Sequence, residues 1–257
     1  MDNWESHWSK YAESASENPA QIYRHNLILD EIRRIAGSFE TLKIMDVGCG
    51  QGDLLLKLST IFPQAELTGL ELSEVGVAVS LKKNPGTTIF QEDILNPSNV
   101  TSQFNNWANI ICCSEVLEHV DDPVFFLDQV TRYICDNGFL LITVPGGPMS
   151  SFDKYIGHRR HFNKAALGEL LSATKNFSPN KVYRSGFPFF NLYRLVVILR
   201  GAKLKTDVQL EGGVGVSNKV ALAVMRVFRY LFNANFRNSP FGWQMMVVAQ
   251  NTKRNNC

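Results

Sequence analysis

Residues 43–58 read KIMDVGCGQGDLLLKL, and this stretch decides the fold. An apolar run leads to Asp46, three glycines follow at alternate positions (Gly48, Gly50, Gly52), and Leu54, Leu55, Leu56 and Leu58 open a helix-compatible segment. A buried strand that turns through glycines into a helix is the first unit of a parallel α/β sheet. Glycine lets that turn adopt positive φ and bring backbone close to a ligand at the carboxyl edge of the sheet. The spacing is G-x-G-x-G, so the G-x-G-x-x-G loop of a dinucleotide site is absent. Many βα turns need such glycines for structure alone, and the loop by itself leaves both readings open.

Outward from this loop, short apolar runs alternate with helical patterns, which predicts a doubly wound sheet with helices on both faces. The predicted strands are 42–47, 67–72, 87–90, 109–113 and 139–144, with helices starting near Gln51, Glu74, Pro123 and Asn163. Upstream, Ile22, Leu27, Ile28, Leu29, Ile32 and Ile35 recur near a helical period and Gly37 ends the run. Downstream, Asn163 suits a helix N-cap before Ala165, Leu167, Leu170 and Leu171, and two more strands are predicted at 180–183 and 244–249. An insertion separates those two strands. It holds two basic, apolar segments, FFNLYRLVVILR (189–200) and KVALAVMRVFRYLF (219–232), joined by the glycine-rich LEGGVGV (210–216). The expected organisation is a single domain over 1–257: a helical cap (1–40), a cofactor-binding core (41–185), a helical lid or insertion (186–242), and a closing strand and tail (243–257).

The composition is that of a globular chain: 257 residues, 45% hydrophobic and 19% charged, enough to bury a substantial core. The net charge of +2 and the lack of an RNA-binding appendage speak against a nucleic-acid partner. Cys49, Cys112, Cys113, Cys135 and Cys257 form no CxxC pair, the usage of reduced thiols in a cytosolic protein. The opening MDNWESHWSKYAES is not a secretory signal, and no apolar stretch reaches the roughly 18 residues of a membrane span. The expected location is cytoplasmic.

Two acids sharpen the loop. Glu71 ends the second predicted strand in GLELS, where a carboxylate can accept both ribose hydroxyls. Asp93 ends the third in FQEDI, within reach of an adenine amino group. Either alone is commonly a solvated strand end; together, on one sheet edge, they describe an adenosine site.

DVGCGQG, GLELS, EDI and SEVLEHV, in that order, resemble the class I S-adenosylmethionine-dependent methyltransferases. The resemblance covers residues 44–162 and is greatest to the branch of ubiquinone-biosynthesis O-methyltransferases and related small-molecule enzymes. It implies a Rossmann-like sheet of seven strands with the last antiparallel. It also implies a loop of Asp46, Gly48, Cys49, Gly50 and Gly52 around the methionine portion of S-adenosylmethionine. Glu71 would hold the ribose and Asp93 the adenine edge, with Leu72 and Ile94 completing the set, and Ser114 and Glu115 would flank the sulfonium. The rivals are a noncatalytic S-adenosylmethionine-binding module and an NAD(P)-dependent oxidoreductase. Against the second, no Tyr is followed four positions later by Lys, as the commonest short-chain reductases require.

Methyl transfer is an in-line displacement, so the protein mainly aligns acceptor and methyl; orientation alone can supply about 7–11 kcal/mol. For a hydroxyl acceptor, a general base adds roughly 10²–10⁴-fold. His158 and His161, on the loop after the fifth strand, are the candidate bases; ordered loop histidines are the alternative. Neighbouring Arg159 and Arg160 could recognise an acidic acceptor or face solvent. Glu115, Glu118 and His119 bring two carboxylates and an imidazole together, and the resemblance implies a magnesium-like divalent ion there. The same string orders a loop in many relatives through carboxylates that cap backbone amides.

In the insertion, Lys219, Arg226 and Arg229 fall on one helical face, at i, i+7 and i+10. The two segments can pack on the sheet, form a lid, or lie peripherally on a membrane through 187–233. The expected acceptor is small and hydrophobic or lipid-linked, methylated on oxygen.

Overall fold

All seven predicted strands form, and they join one sheet. The computed structural model describes residue 5 and residues 16–174, 176–201 and 219–252. The strands are β1 (Lys43–Val47), β2 (Glu66–Glu71), β3 (Thr88–Gln91), β4 (Ala108–Ser114), β5 (Ile134–Pro145), β6 (Phe177–Ser185) and β7 (Gln244–Asn251). Their order is β3-β2-β1-β4-β5-β7-β6. The pairs β1–β2, β1–β4, β2–β3 and β4–β5 are parallel, while β7 runs antiparallel to both β5 and β6. Strand order reverses beside β1, and a doubly wound sheet binds ligands at the carboxyl ends of the strands near such a switch.

The central strands read as continuous apolar runs because both faces are covered. Met45, Val47, Ile111 and Cys113 point into one core with Met245 and Val247; α4 (Pro123–Val130) and α6 (Lys164–Thr174) cover that face with Leu127 and Leu171. Their strand neighbours Ile44, Ile110, Cys112 and Met246 point to the opposite core. There α1 (Pro19–Ile35) and α2 (Asp53–Ile61) pack with Ile28, Ile32, Leu55 and Leu58. The other described α-helices are α3 (Glu74–Lys83), α5 (Ser151–Tyr155), α7 (Phe189–Leu199) and α8 (Lys219–Leu231).

Three features depart from the sequence reading. Strand β6 is longer than the predicted 180–183, because its first half is an exposed edge with Pro179 and Asn180 rather than an apolar alternation. Strand β5 starts at Ile134, where Asp136 and Asn137 mask it. The loop after β5 holds the short helix α5, started by a reciprocal capping box between Ser150 and Asp153.

The cap is described from Ser16 on, and α1 begins at Pro19 with Asn18 accepting the Ala20 N–H. Apart from Glu5, residues 1–15 of the expected cap, with LEGGVGV and Cys257, lie outside the described residues. The insertion helices pack on α1. Tyr23 lies against Phe190 of α7 and Phe232 just after α8, at ring separations of 5.4 and 5.5 Å. No described helix is long and apolar enough to cross a membrane.

Candidate functional site

The glycine loop takes the conformation its residues allow. Gly48, Gly50 and Gly52 have φ of 73°, 53° and 77°. A Cβ on Gly48 would come within 2.6 Å of Val116, and one on Gly52 within 2.2 Å of the Ser80 hydroxyl. The Glu71 carboxylate ties this loop to the next turn: Oε2 accepts the Gly50 N–H at 2.8 Å and Oε1 accepts the Ser73 N–H at 3.0 Å. Each carboxylate oxygen has more than one lone pair, so these bonds still leave acceptor capacity toward the sheet edge.

Asp46, Cys49 and Glu71 are all buried. Burial, reinforced by the charge of Glu71, pushes the Asp46 carboxyl up to about 7. Burial likewise pushes the Cys49 thiol well above its ordinary range, so it stays protonated. Leu72 is half-exposed beside Glu71, and Ile94 is buried. Asp93 forms a local turn, its carboxylate accepting the Leu95 N–H and the Asn96 amide, each at 3.0 Å. One residue from outside the motifs joins this edge. The Glu5 carboxylate accepts the Ser73 hydroxyl and the Glu74 and Val75 N–H groups, which anchors it on the first turn of α3.

Across the edge, β4 ends at Ser114, whose hydroxyl lies 2.9 Å from that of Thr143. Glu115 adopts φ of 57°, a left-handed conformation uncommon for a non-glycine residue. Its carboxylate accepts the Gln244 amide at 2.9 Å and lies 3.5 Å from Arg24. Glu115 therefore turns toward β7 and α1, whereas Glu118 and His119 come together with His158. Glu118 is fully buried, and among the described residues neither of its oxygens finds a hydrogen-bond partner. Burial, with Glu115 nearby, holds its carboxyl well above the ordinary range.

The two candidate bases meet. His158 Nδ1 lies 3.2 Å from His161 Nε2, and His161 Nδ1 lies 3.2 Å from the Gly147 carbonyl. A carbonyl only accepts, so His161 carries its proton on Nδ1 and, when neutral, accepts at Nε2 from His158 Nδ1–H. That order leaves the lone pair of His158 on Nε2. Burial keeps both rings neutral, and burial with neighbouring His119 takes His158 down to about 3. The His119 and His158 rings meet edge-on at 4.8 Å.

Arg159 and Arg160 are both committed to Asp121, one through its carboxylate at 2.5 Å and the other through its carbonyl at 2.9 Å. They staple this loop to the Glu118 segment, which the Arg159 N–H also joins by donating to the Glu118 carbonyl.

Besides Glu5, sequence reading missed three further members of the site. Asp153 is fully buried, and Arg194 of α7 reaches its two oxygens at 2.8 and 2.9 Å. Gln244 holds Glu115 from the start of β7. The Ser150-x-x-Asp153 spacing was the one local signal for Asp153; nothing local marks Arg194 or Gln244.

Among the described residues, a second group that could hold a metal is Asp153, His158 and His161. Asp153 is already taken up by Arg194 and by Ser150, which donates from both backbone and hydroxyl. The Glu118 carboxylate, by contrast, accepts no hydrogen bond among the described residues.

A family model described as a methyltransferase domain matches residues 20–178. Among curated proteins, the chain is 27% identical over 143 residues to the mitochondrial ubiquinone biosynthesis O-methyltransferase of Dictyostelium discoideum, covering 52% of this chain and 40% of that protein. It is 29% identical over 149 residues to the malonyl-[acyl-carrier protein] O-methyltransferase of Halalkalibacterium halodurans, covering 55% and 54%. The chain thus spans about half the length of the curated relatives it matches. Among solved structures, the plantazolicin methyltransferase BpumL, in complex with a triazolic desmethylPZN analog and SAH, shares the fold. The TM-score is 0.60 at 15% identity, over 97% of this chain and 96% of that one.

Proposed function

Because the chain belongs to the methyltransferase domain family, we propose that it transfers a methyl group from S-adenosylmethionine to an oxygen of a small, hydrophobic or lipid-linked acceptor. The observation that carries this reading is the joint between Gly50 and Glu71, which sets a left-handed glycine loop and a ribose-type carboxylate on one sheet edge. Asp46, Gly48, Cys49, Gly50 and Gly52 would cradle the methionine part, Glu71 would accept ribose hydroxyls, and Leu72, Asp93 and Ile94 would bound the adenine. Ser114 and Glu115, at the end of β4, would face the sulfonium.

The acceptor would sit between that end and the loop carrying His158 and His161. The histidine order leaves His158 Nε2 as the proton-accepting atom, with His161 fixing its tautomer through the Gly147 carbonyl. His158 is a weak base, so the positive charge it gains needs a carboxylate nearby; Asp153, which Arg194 keeps ionised against the cost of burial and which lies with His158 and His161, fits that part. The relatives named for ubiquinone biosynthesis and for a malonyl acyl carrier protein are O-methyltransferases, which favours oxygen as the methylated atom.

Alternatively, Glu118, His119 and His158 would hold a divalent ion, with His158 then a ligand and not the base: among the described residues the buried Glu118 carboxylate accepts no hydrogen bond, which suits a cation. Such an ion would act as a Lewis acid toward the acceptor oxygen.

The test is to incubate the purified chain with methyl-labelled S-adenosylmethionine and separated lipid and soluble small-molecule extracts. Label entering either fraction supports transfer, and the labelled fraction identifies the acceptor class. Cofactor binding without any transfer would make the chain a noncatalytic module, and binding of NAD(P)H instead would overturn the reading.

A further inference from the structure

A surface helix normally turns its apolar stripe inward. Helix α7 also carries one outward. Leu192, Leu195, Val196 and Leu199, at i, i+3, i+4 and i+7, are all exposed, Leu199 to 78%. The inward side is filled by Phe190 and Tyr193, and by Arg194, whose charge is spent on Asp153. Helix α8 repeats the arrangement. Phe228 packs inward against Tyr193, while Val224, Val227 and Tyr230 project outward, Val227 exposed to 57% and Tyr230 to 78%. Exposed Arg226 and Arg229 lie along one flank of that outer stripe. At the start of α7, Phe236 and Phe241 are more than 60% exposed beside Phe187.

The charge around these faces has one sign. Among the described residues from Gly186 to Thr252, none is Asp or Glu, whereas Arg194, Arg200, Lys219, Arg226, Arg229 and Arg237 are basic. Arg194 and Arg237 are paired, with Asp153 and Asp30.

We propose that the outer faces of α7 and α8, with Phe236 and Phe241, dock on an anionic lipid bilayer. Apolar stripes flanked by arginine, on helices too short to span, are the pattern of elements that lie in the membrane interface. The apolar side chains enter the boundary between headgroups and acyl chains, and Arg226 and Arg229 meet the lipid phosphates. Charge complementarity selects the bilayer: among the described residues from Gly186 to Thr252 no carboxylate stands to repel an anionic leaflet. This docking does not depend on the methyl-transfer reading, because none of the residues named for the cofactor or the base lies on these faces.

The experiment is cosedimentation of the full chain with vesicles of phosphatidylcholine alone and of phosphatidylcholine mixed with phosphatidylglycerol. The expected result is at least about tenfold more bound chain on the mixed vesicles, falling as salt screens the arginines. The double substitution Leu195→Asp/Leu199→Asp and the substitution Val227→Asp alter exposed positions, so each should fold and bind cofactor normally yet lose vesicle binding. Arg226→Glu should lose the preference for anionic vesicles. Absence of wild-type binding to mixed vesicles, or binding that survives these substitutions, overturns the proposal. So does a wild-type dimer that ignores vesicles and that Leu199→Asp converts to monomer, since the face would then be a contact between two copies.

Discussion

Arg194, near the middle of α7, donates to both carboxylate oxygens of Asp153 in α5, at 2.8 and 2.9 Å, with the Asp153 side chain fully buried. The insertion is thereby bonded to the loop that carries His158 and His161. Removing the arginine strands a buried carboxylate, whereas removing both partners does not. Arg194→Met is expected to destabilise the chain by about 3–5 kcal/mol in urea unfolding. The double variant Arg194→Met/Asp153→Asn should recover a large part of that loss; strict additivity of the two single changes would argue against a coupled pair.

The Gly50–Glu71 bond predicts a cofactor effect. Glu71→Ala takes away the acceptor of the Gly50 and Ser73 N–H groups together with the proposed ribose partner. Affinity for S-adenosylmethionine should weaken by about 1–3 kcal/mol in calorimetric titration. Gly50→Arg and Asp46→Ala should abolish binding, and ordinary affinity in both would refute the placement of the cofactor.

Gly52 combines φ of 77° with no room for a side chain, since an added Cβ would lie 2.2 Å from the Ser80 hydroxyl and 2.4 Å from the Asn84 amide. Gly52→Ala is expected to cost at least about 1 kcal/mol, read as a lower denaturant midpoint. A substitution without effect would mean that the loop relaxes freely.

Asp46 makes stability depend on pH. Its carboxyl is raised from 3.8 to about 7 by burial and by Glu71, so between those values the native chain keeps a proton that the unfolded chain has released. The stability of the cofactor-free chain should therefore fall as pH rises through that window and stay lower above about 7. Asp46→Asn should flatten this slope in unfolding measured across the same range. Equal slopes in both proteins would show that Asp46 titrates normally.

The histidine order predicts unequal roles. His158→Gln should reduce turnover by roughly 10²–10⁴-fold with cofactor affinity unchanged. His161→Gln, which disturbs only the tautomer and orientation of His158, should cost less. Alanine at both positions without a change in turnover would exclude either histidine as the base.

The parallel core was legible in the sequence because its signals are local. Apolar runs such as 109–113, glycines at alternate positions after Asp46, and acids at the ends of β2 and β3 each depend on neighbours a few residues away. Their order along the chain puts them on one sheet edge: Glu71 ends β2 and the glycines form the turn after β1. The composition of 189–200 and 219–232 likewise marks both segments as apolar and basic.

Only the tertiary structure decided which groups meet across long separations in the chain. It turned Glu115 to Gln244 and Arg24, left Glu118 buried beside His119 and His158, and bound Arg159 and Arg160 to Asp121. It also sent Arg194 inward to Asp153 while Leu192, Leu195 and Leu199 on the same helix face out. Helical periodicity assigns residues to faces, but which face is buried depends on what packs against it, here α1 and the loop after β5. A hydrogen bond between residues far apart in sequence leaves no periodic trace in either segment, so these contacts become visible only once the sheet has brought its strand ends together.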